Sequence, residues 1–194
     1  MNRLGHVMLC VLLCSAHTAG AQALDIPSGT YAIDPGHTYV TFSYQHQGLS
    51  FPLLRATEVN GELELDADLP GNSTVAIAVS AASIRSNLDY FDRELASAKF
   101  FNADKYPYIT YVADRLTMAD ERRGVLEGEI TIRGITRPLN LDVTINGAML
   151  HPFTGKPVVG ASATGSCLPL TLRRCASCLS SPTPTRWANR RRRT

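Results

Sequence analysis

The stretch LDYFDRELASAKFFNADKYPYITYV, residues 88–112, decides how the rest of the chain is read. Leu88, Phe91 and Leu95 fall at i, i+3 and i+7, a helical spacing in a chain that otherwise alternates. Ser86 and Asp89 ahead of it have the form of an N-terminal capping box. Tyr106-Pro107 then forces extended backbone, because the residue before a proline avoids the α region. The pattern predicts one short helix over residues 89–98, an aromatic elbow containing Phe100, Phe101 and Tyr106, and a strand from Tyr108. Within an all-β chain, such an insert covers the open end of a sheet or barrel.

Outward from this insert, both flanks read as strand and turn. On the N-terminal side, residues 37–46 (HTYVTFSYQH) place Val40, Phe42 and Tyr44 on one face and Thr41, Ser43 and Gln45 on the other. Val59 to Asp66 alternates Leu63 and Leu65 with Glu62 and Glu64, as a half-buried antiparallel strand does. Thr74 to Ser80 sets Val75, Ile77 and Val79 on one side. On the C-terminal side follow Tyr108–Met118, Gly124–Arg133 and Thr136–Asn146, the last two joined by a tight reversal at Gly134-Ile135. Asn146-Gly147 is a strong hairpin-turn signal, and Pro157–Ser166 is the final strand of the body. Seven or eight short strands with regular spacing and one helix predict an antiparallel barrel or sandwich. A barrel of about eight strands encloses room for one small ligand.

The ends of the chain are not part of that body. Arg3, an apolar run from Val7 to Ala16 and Ala21-Gln22-Ala23 form a secretory signal, cleaved near Ala23. Export to a bacterial periplasm is the simplest expectation. Residues 1–166 carry 12 Lys and Arg against 17 Asp and Glu, a net charge of −5, whereas residues 167–194 carry seven Arg and no acid. The acidic body argues against a nucleic-acid partner. Cys167, Cys175 and Cys178 all lie in the tail, an odd number that makes a poor disulfide framework and an incomplete zinc site.

The chain holds no G-x-S-x-G elbow, P-loop, dinucleotide fingerprint or H-E-x-x-H helix. His37 and His46, nine apart, face opposite sides of a regular strand and do not share a metal. Asp89, Asp92 and Glu94 are read as a solvated helix face. No catalytic residue, metal or cofactor is assigned. A small exported β domain of this composition is read as a binder, with apolar alternation supplying an inner wall.

Three groups of residues carry a resemblance. They are Asp34-Pro35-Gly36-His37-Thr38-Tyr39-Val40-Thr41-Phe42 with His46-x-Gly48-x-Ser50; Asp92-x-Glu94-Leu95-Ala96-Ser97-Ala98-Lys99-Phe100-Phe101-Asn102 with Lys105-Tyr106-Pro107; and the run from Gly128 to Leu139. In order and separation, over about residues 31–166, they resemble the YceI-like family. The resemblance implies an antiparallel lipocalin-like barrel that holds a long isoprenoid or similar lipid in its lumen, in the periplasm and without catalysis. Leu54 and Ala56 stand where the family has a glycine and a bulky aromatic residue, Phe91 where it has Arg, and Glu94 where it has His. After Ser166 the family pattern continues as a strand and turn, but here it gives way to a tail rich in Pro, Arg and Cys. The expectation is a frameshift near codon 166 that replaced the closing strands, with a genuine basic tail as the alternative, and the tail is expected to be disordered.

The expected organisation is therefore a signal peptide over 1–23, a lipid-binding barrel over 24–166 and a basic tail over 167–194. The expected ligand-binding residues are Val40, Phe42, Tyr44, His46, Val75 and Ile77, with closure by Phe100, Phe101 and Tyr106. The expected partner is a long-chain lipid or isoprenoid. Transient membrane contact and a dimer are both compatible with it. Two other readings stay open: an enzyme on a small amphiphile using His46 with a nearby acid, and a module that binds membranes or partners through the basic tail.

Overall fold

The computed structural model describes residues 26–166, so the signal segment, the tail and its cysteines lie outside the described residues. The strands are β1 (Gly29–Ala32), β2 (Val40–Ser43), β3 (Leu53–Ala56), β4 (Val59–Leu65), β5 (Thr74–Ser80), β6 (Ile84–Arg85), β7 (Tyr108–Met118), β8 (Arg123–Ile132), β9 (Ile135–Leu150) and β10 (Pro157–Thr164). One helix, α1 (Asp89–Ala96), separates β6 from β7. Ten described strands replace the expected seven or eight because two long strands turn a corner. β3 runs into β4 across Thr57 and Glu58, and β5 runs into β6 across a 3-10 turn at Ala81–Ser83. Ser83 pins both corners: its buried hydroxyl accepts the Thr57 and Glu58 N–H groups at 3.3 and 3.1 Å and donates to the Ser80 carbonyl at 2.8 Å. The hydrogen bonds offset the cost of taking the hydroxyl out of water at such a corner.

All the ladders are antiparallel. One sheet runs β1-β4-β5-β7-β8-β9-β10, and a second, β2-β3-β6, extends the β4–β5 end. The large sheet curls into a barrel. Tyr31 from its first strand and Val159 from its last pack on the same buried group, Ile26, Leu65 and Ala67. Among the described residues no ladder joins β1 to β10, so a seam runs between them.

Period-two alternation assigns the faces. In register, Tyr31, Leu63, Val75, Ala113, Gly128 and Leu139 form one inward row across six strands. Glu62, Glu64, Glu129, Asn140 and Asp142 take the outward positions. Gly128 is required in that row. A Cβ there would stand 2.7 Å from the Tyr111 ring and 2.6 Å from the Val112 carbonyl.

Several local expectations are corrected. The helix ends at Ala96 rather than 98, because Ser97 is extended (φ −67°, ψ 170°) and its N–H and hydroxyl both bond the Glu94 carbonyl. The Ser86–Asp89 capping box does not form. Instead the Asp92 carboxylate accepts the Ser86 N–H at 2.7 Å and the Ser86 hydroxyl at 2.6 Å. The reversal between β8 and β9 lies one residue earlier, at Arg133-Gly134, where φ is 54° and 73°. Asn146-Gly147 is not a turn: β9 runs through it, and Asn146 is the extra residue of a bulge opposite Gly160/Ala161. The Asn146 amide donates to the Ser162 hydroxyl at 2.9 Å, which uses across the strands the polar group that would have turned the chain. The hairpin instead closes between His151 and Lys156.

Candidate functional site

The inner wall of the large sheet is apolar on every strand from β4 to β9. Leu63, Val75, Ile77, Ile130, Leu139, Leu141 and Val143 sit there, and all stay partly accessible although alternation points them inward. Tyr111 lies buried among Val75, Ile77, Ile130, Leu139 and Leu141. Its hydroxyl donates to the Leu126 and Leu139 carbonyls, each at 3.2 Å, and so ties β7 to β8 and β9. Burial pushes the Tyr111 phenol up to about 12, so it is neutral at any physiological pH. The wall thus offers dispersion contacts and no charge across its middle.

One end of the wall is closed by the small sheet and α1. Val40, Phe42, Tyr44 and Ile77 pack against the buried group that contains Leu54, Ala56, Ile84, Leu95, Phe100 and Phe101. Phe42 meets Phe101 edge-on, with ring centroids 6.0 Å apart, and Phe91 meets Phe100 likewise at 5.8 Å. Such T-shaped pairs fix ring orientation as well as burying area. Leu54 and Ala56, the positions noted above as departures from the family pattern, are both buried in this plug.

Of the nine expected ligand-binding residues, Val40, Phe42, Tyr44, Ile77, Phe100 and Phe101 are brought together here. Phe100 and Phe101 are so deeply buried that they form the plug itself. Val75 lies further along the wall beside Tyr111, and Ile77 touches both groups. Tyr106 stands apart, with its ring 3.0 Å from where a Gly134 Cβ would be, and covers the β8–β9 turn. His46 lies at the tip of the β2–β3 hairpin, bridged to Ser50, with its ring edge-on to Tyr44 at 6.3 Å. Tyr44 is half-buried near Tyr90 of α1; burial first and that neighbour second push its phenol up. The wall residues of β7 to β9, above all Tyr111, Ile130, Leu139 and Leu141, are absent from the sequence-based set. Their alternation is plain in the sequence; only the register shows which side faces in.

An open depression of about 530 Å³ lies elsewhere, at the β7–β8 turn, lined by Asp120, Glu121, Arg122, Arg123 and Thr144. Its Asp120 already accepts the Arg122 and Arg123 N–H groups and pairs with the Arg123 guanidinium at 2.7 Å. Those bonds hold its carboxyl below the usual range, and the depression is lined by charged residues and Thr144 rather than by apolar side chains. It is not a counterpart of the lumen. Among the described residues no group of three or more His, Cys, Asp or Glu is placed to hold a metal.

Comparison with known proteins agrees with this geometry. The model of the YceI-like domain matches residues 31–172. A UPF0312 protein of Photorhabdus laumondii is 30% identical over 143 residues, covering 71% of this chain and 74% of its own length. A UPF0312 protein of Pseudomonas putida is 28% identical, covering 72% and 73%. Among solved structures, a mutant Campylobacter jejuni YceI protein superposes with a TM-score of 0.55 at 25% identity, over 69% of this chain and 77% of that one. Burkholderia cenocepacia BcnA superposes with a TM-score of 0.56 at 18% identity, over 61% and 74%, a likeness of fold alone.

Proposed function

This chain belongs to the YceI-like domain family, and from that premise we propose that it binds and carries a long-chain lipid, an isoprenoid or similar amphiphile, inside its barrel. One observation carries the reading: an inward wall that is apolar from β4 to β9 yet only half-buried by protein. Half-buried apolar surface gains free energy from a chain laid against it, at about 0.8 kcal/mol per CH₂ removed from water. The aromatic plug shuts one end, so the chain would lie along β5, β7, β8 and β9 rather than cross the core. The export signal read in the sequence supports a bacterial periplasm as the place of this activity, where a lipid moving through water needs a container. The chemistry asked of the protein is burial, and no group-transfer step is assigned to it.

The test is native mass spectrometry of the chain after periplasmic expression, followed by organic extraction. A stoichiometric long-chain adduct that organic solvent releases is the expected result. A folded, monodisperse protein that stays empty, and takes up no isoprenoid offered in detergent, overturns the reading.

A further inference from the structure

The outward face of the small sheet differs from the rest of the surface. Arg55 of β3 and Arg85 of β6 stand directly opposite one another in the ladder. Like charges placed opposite across two strands destabilise a sheet. None of the four ion pairs among the described residues involves either one. Arg55 lies over the Tyr39 ring at 4.5 Å, and Arg85 donates to the Ala82 and Ile84 carbonyls, so both are held in place without being neutralised. The neighbouring outward positions, Thr41, Ser43 and Leu53, carry no carboxylate. Residues 26–166 as a whole carry 11 Lys and Arg against 16 Asp and Glu, a net charge of −5.

The hairpin that rises from this face is apolar at its end. Leu49, Phe51 and Leu53 are 84%, 70% and 65% exposed. The turn beneath them is tight, with Gln47 and Gly48 at φ 51° and 72° and the Leu49 N–H bonded to the His46 carbonyl at 2.9 Å. The apolar side chains are therefore presented by a fixed turn.

We propose that this face docks on an anionic lipid bilayer, with Leu49, Phe51 and Leu53 entering the acyl boundary and Arg55 and Arg85 meeting lipid phosphates. Charge decides the occupant. A second copy seated on the same face across a two-fold axis would oppose two arginine pairs. An anionic surface neutralises them while repelling the acidic remainder, which also sets the orientation. Tyr44 lies on the core side of this hairpin, so docking brings the plugged end of the barrel, with its aromatic groups, against the membrane. The proposal rests on the carrier reading for its purpose, transfer of a lipid between bilayer and lumen.

The experiment uses the full chain with Trp187→Phe, so that Phe51→Trp supplies the only indole. Vesicles of phosphatidylcholine with phosphatidylglycerol should blue-shift its emission, and brominated acyl chains should quench it. Replacing Arg55 and Arg85 by Gln should weaken vesicle binding about 30-fold, at about 1 kcal/mol per cation near the surface. Unshifted, unquenched emission from vesicle-bound protein overturns the proposal and assigns the binding to the basic tail. So does a concentration-dependent shift without vesicles, which would make the face a self-association surface. Ligand extraction is scored separately: an adduct without indole insertion sinks the docking surface and spares the carrier, and insertion without an adduct does the reverse.

Discussion

Tyr111 shows how one side chain serves both the barrel and its lumen. Its ring is part of the wall, and its hydroxyl holds β7 to the two strands beyond. Tyr111→Phe keeps the ring and loses both bonds, so a destabilisation of about 1–2 kcal/mol is expected in urea denaturation. Its titration has a definite sign. The folded phenol is held at about 12, above the ordinary value of 10.0, so the stabilising contribution is complete below pH 10 and is lost as pH rises toward 12. Alkaline denaturation of the wild type should steepen in that window, and the Phe variant should lack the step. Leu141 and Asn140 test the assignment of faces. Leu141→Asp puts a charge on the inner wall and should reduce lipid retention at least about tenfold, the worth of some 1.4 kcal/mol. Asn140→Asp, one residue along on the outer face, should leave retention unchanged. Equal losses from both would show that the lumen is not where the register puts it.

At the scale of the element, α1 is a short helix held at both ends by side chains near it in sequence. Asp92 reaches back to the Ser86 N–H and hydroxyl, and Ser97 folds onto the Glu94 carbonyl. Asp92→Ala should cost about 1–3 kcal/mol, the range for losing hydrogen bonds to a charged group. It should also loosen the Phe91–Phe100 contact, read as an earlier loss of near-ultraviolet circular dichroism than of far-ultraviolet signal. The helix itself was legible from the i, i+3, i+7 spacing of Leu88, Phe91 and Leu95, although Leu88 is its extended, exposed N-cap residue and only Phe91 and Leu95 pack inward. The link that ties its first turn to the preceding chain was not legible, because Ser86 and Asp89 satisfy a local pattern while the actual acceptor is Asp92. Strands Thr74–Ser80 and Tyr108–Met118 have the bounds their alternation gives. Asn146-Gly147 misled for a physical reason: a turn dipeptide turns only where its strands have finished pairing, and β10 still offers partners beyond it. β6, at two residues, is too short to leave a periodic signal.

At the scale of the whole molecule, counting alternating runs around one helix led to an antiparallel barrel or sandwich, the family resemblance chose the barrel, and the wall followed from register. No single strand states which of its sides is inward. That choice is made when six strands put Tyr31, Leu63, Val75, Ala113, Gly128 and Leu139 in one row. The last described strand, β10, with residues 165 and 166 beyond it, carries no charged side chain. A neutral edge invites pairing with other chains. Thr164→Lys places a cation opposite Asp142 on that edge. It should leave the unfolding midpoint nearly unchanged and lower light scattering during concentration. If scattering is unaltered, β10 is not the edge through which the protein associates.

The seam between β1 and β10 also bears on how cargo boards. A closed tube must be threaded tip first, and threading slows with every unit added to the cargo. Among the described residues these two edges are held by side-chain packing and by no ladder, and a side held so parts more readily than a laced one and admits the whole length at once. Boarding would then take the same time for short and long cargo, while departure slows as more of the cargo must peel away together. Such a protein would sort its passengers by how long they stay.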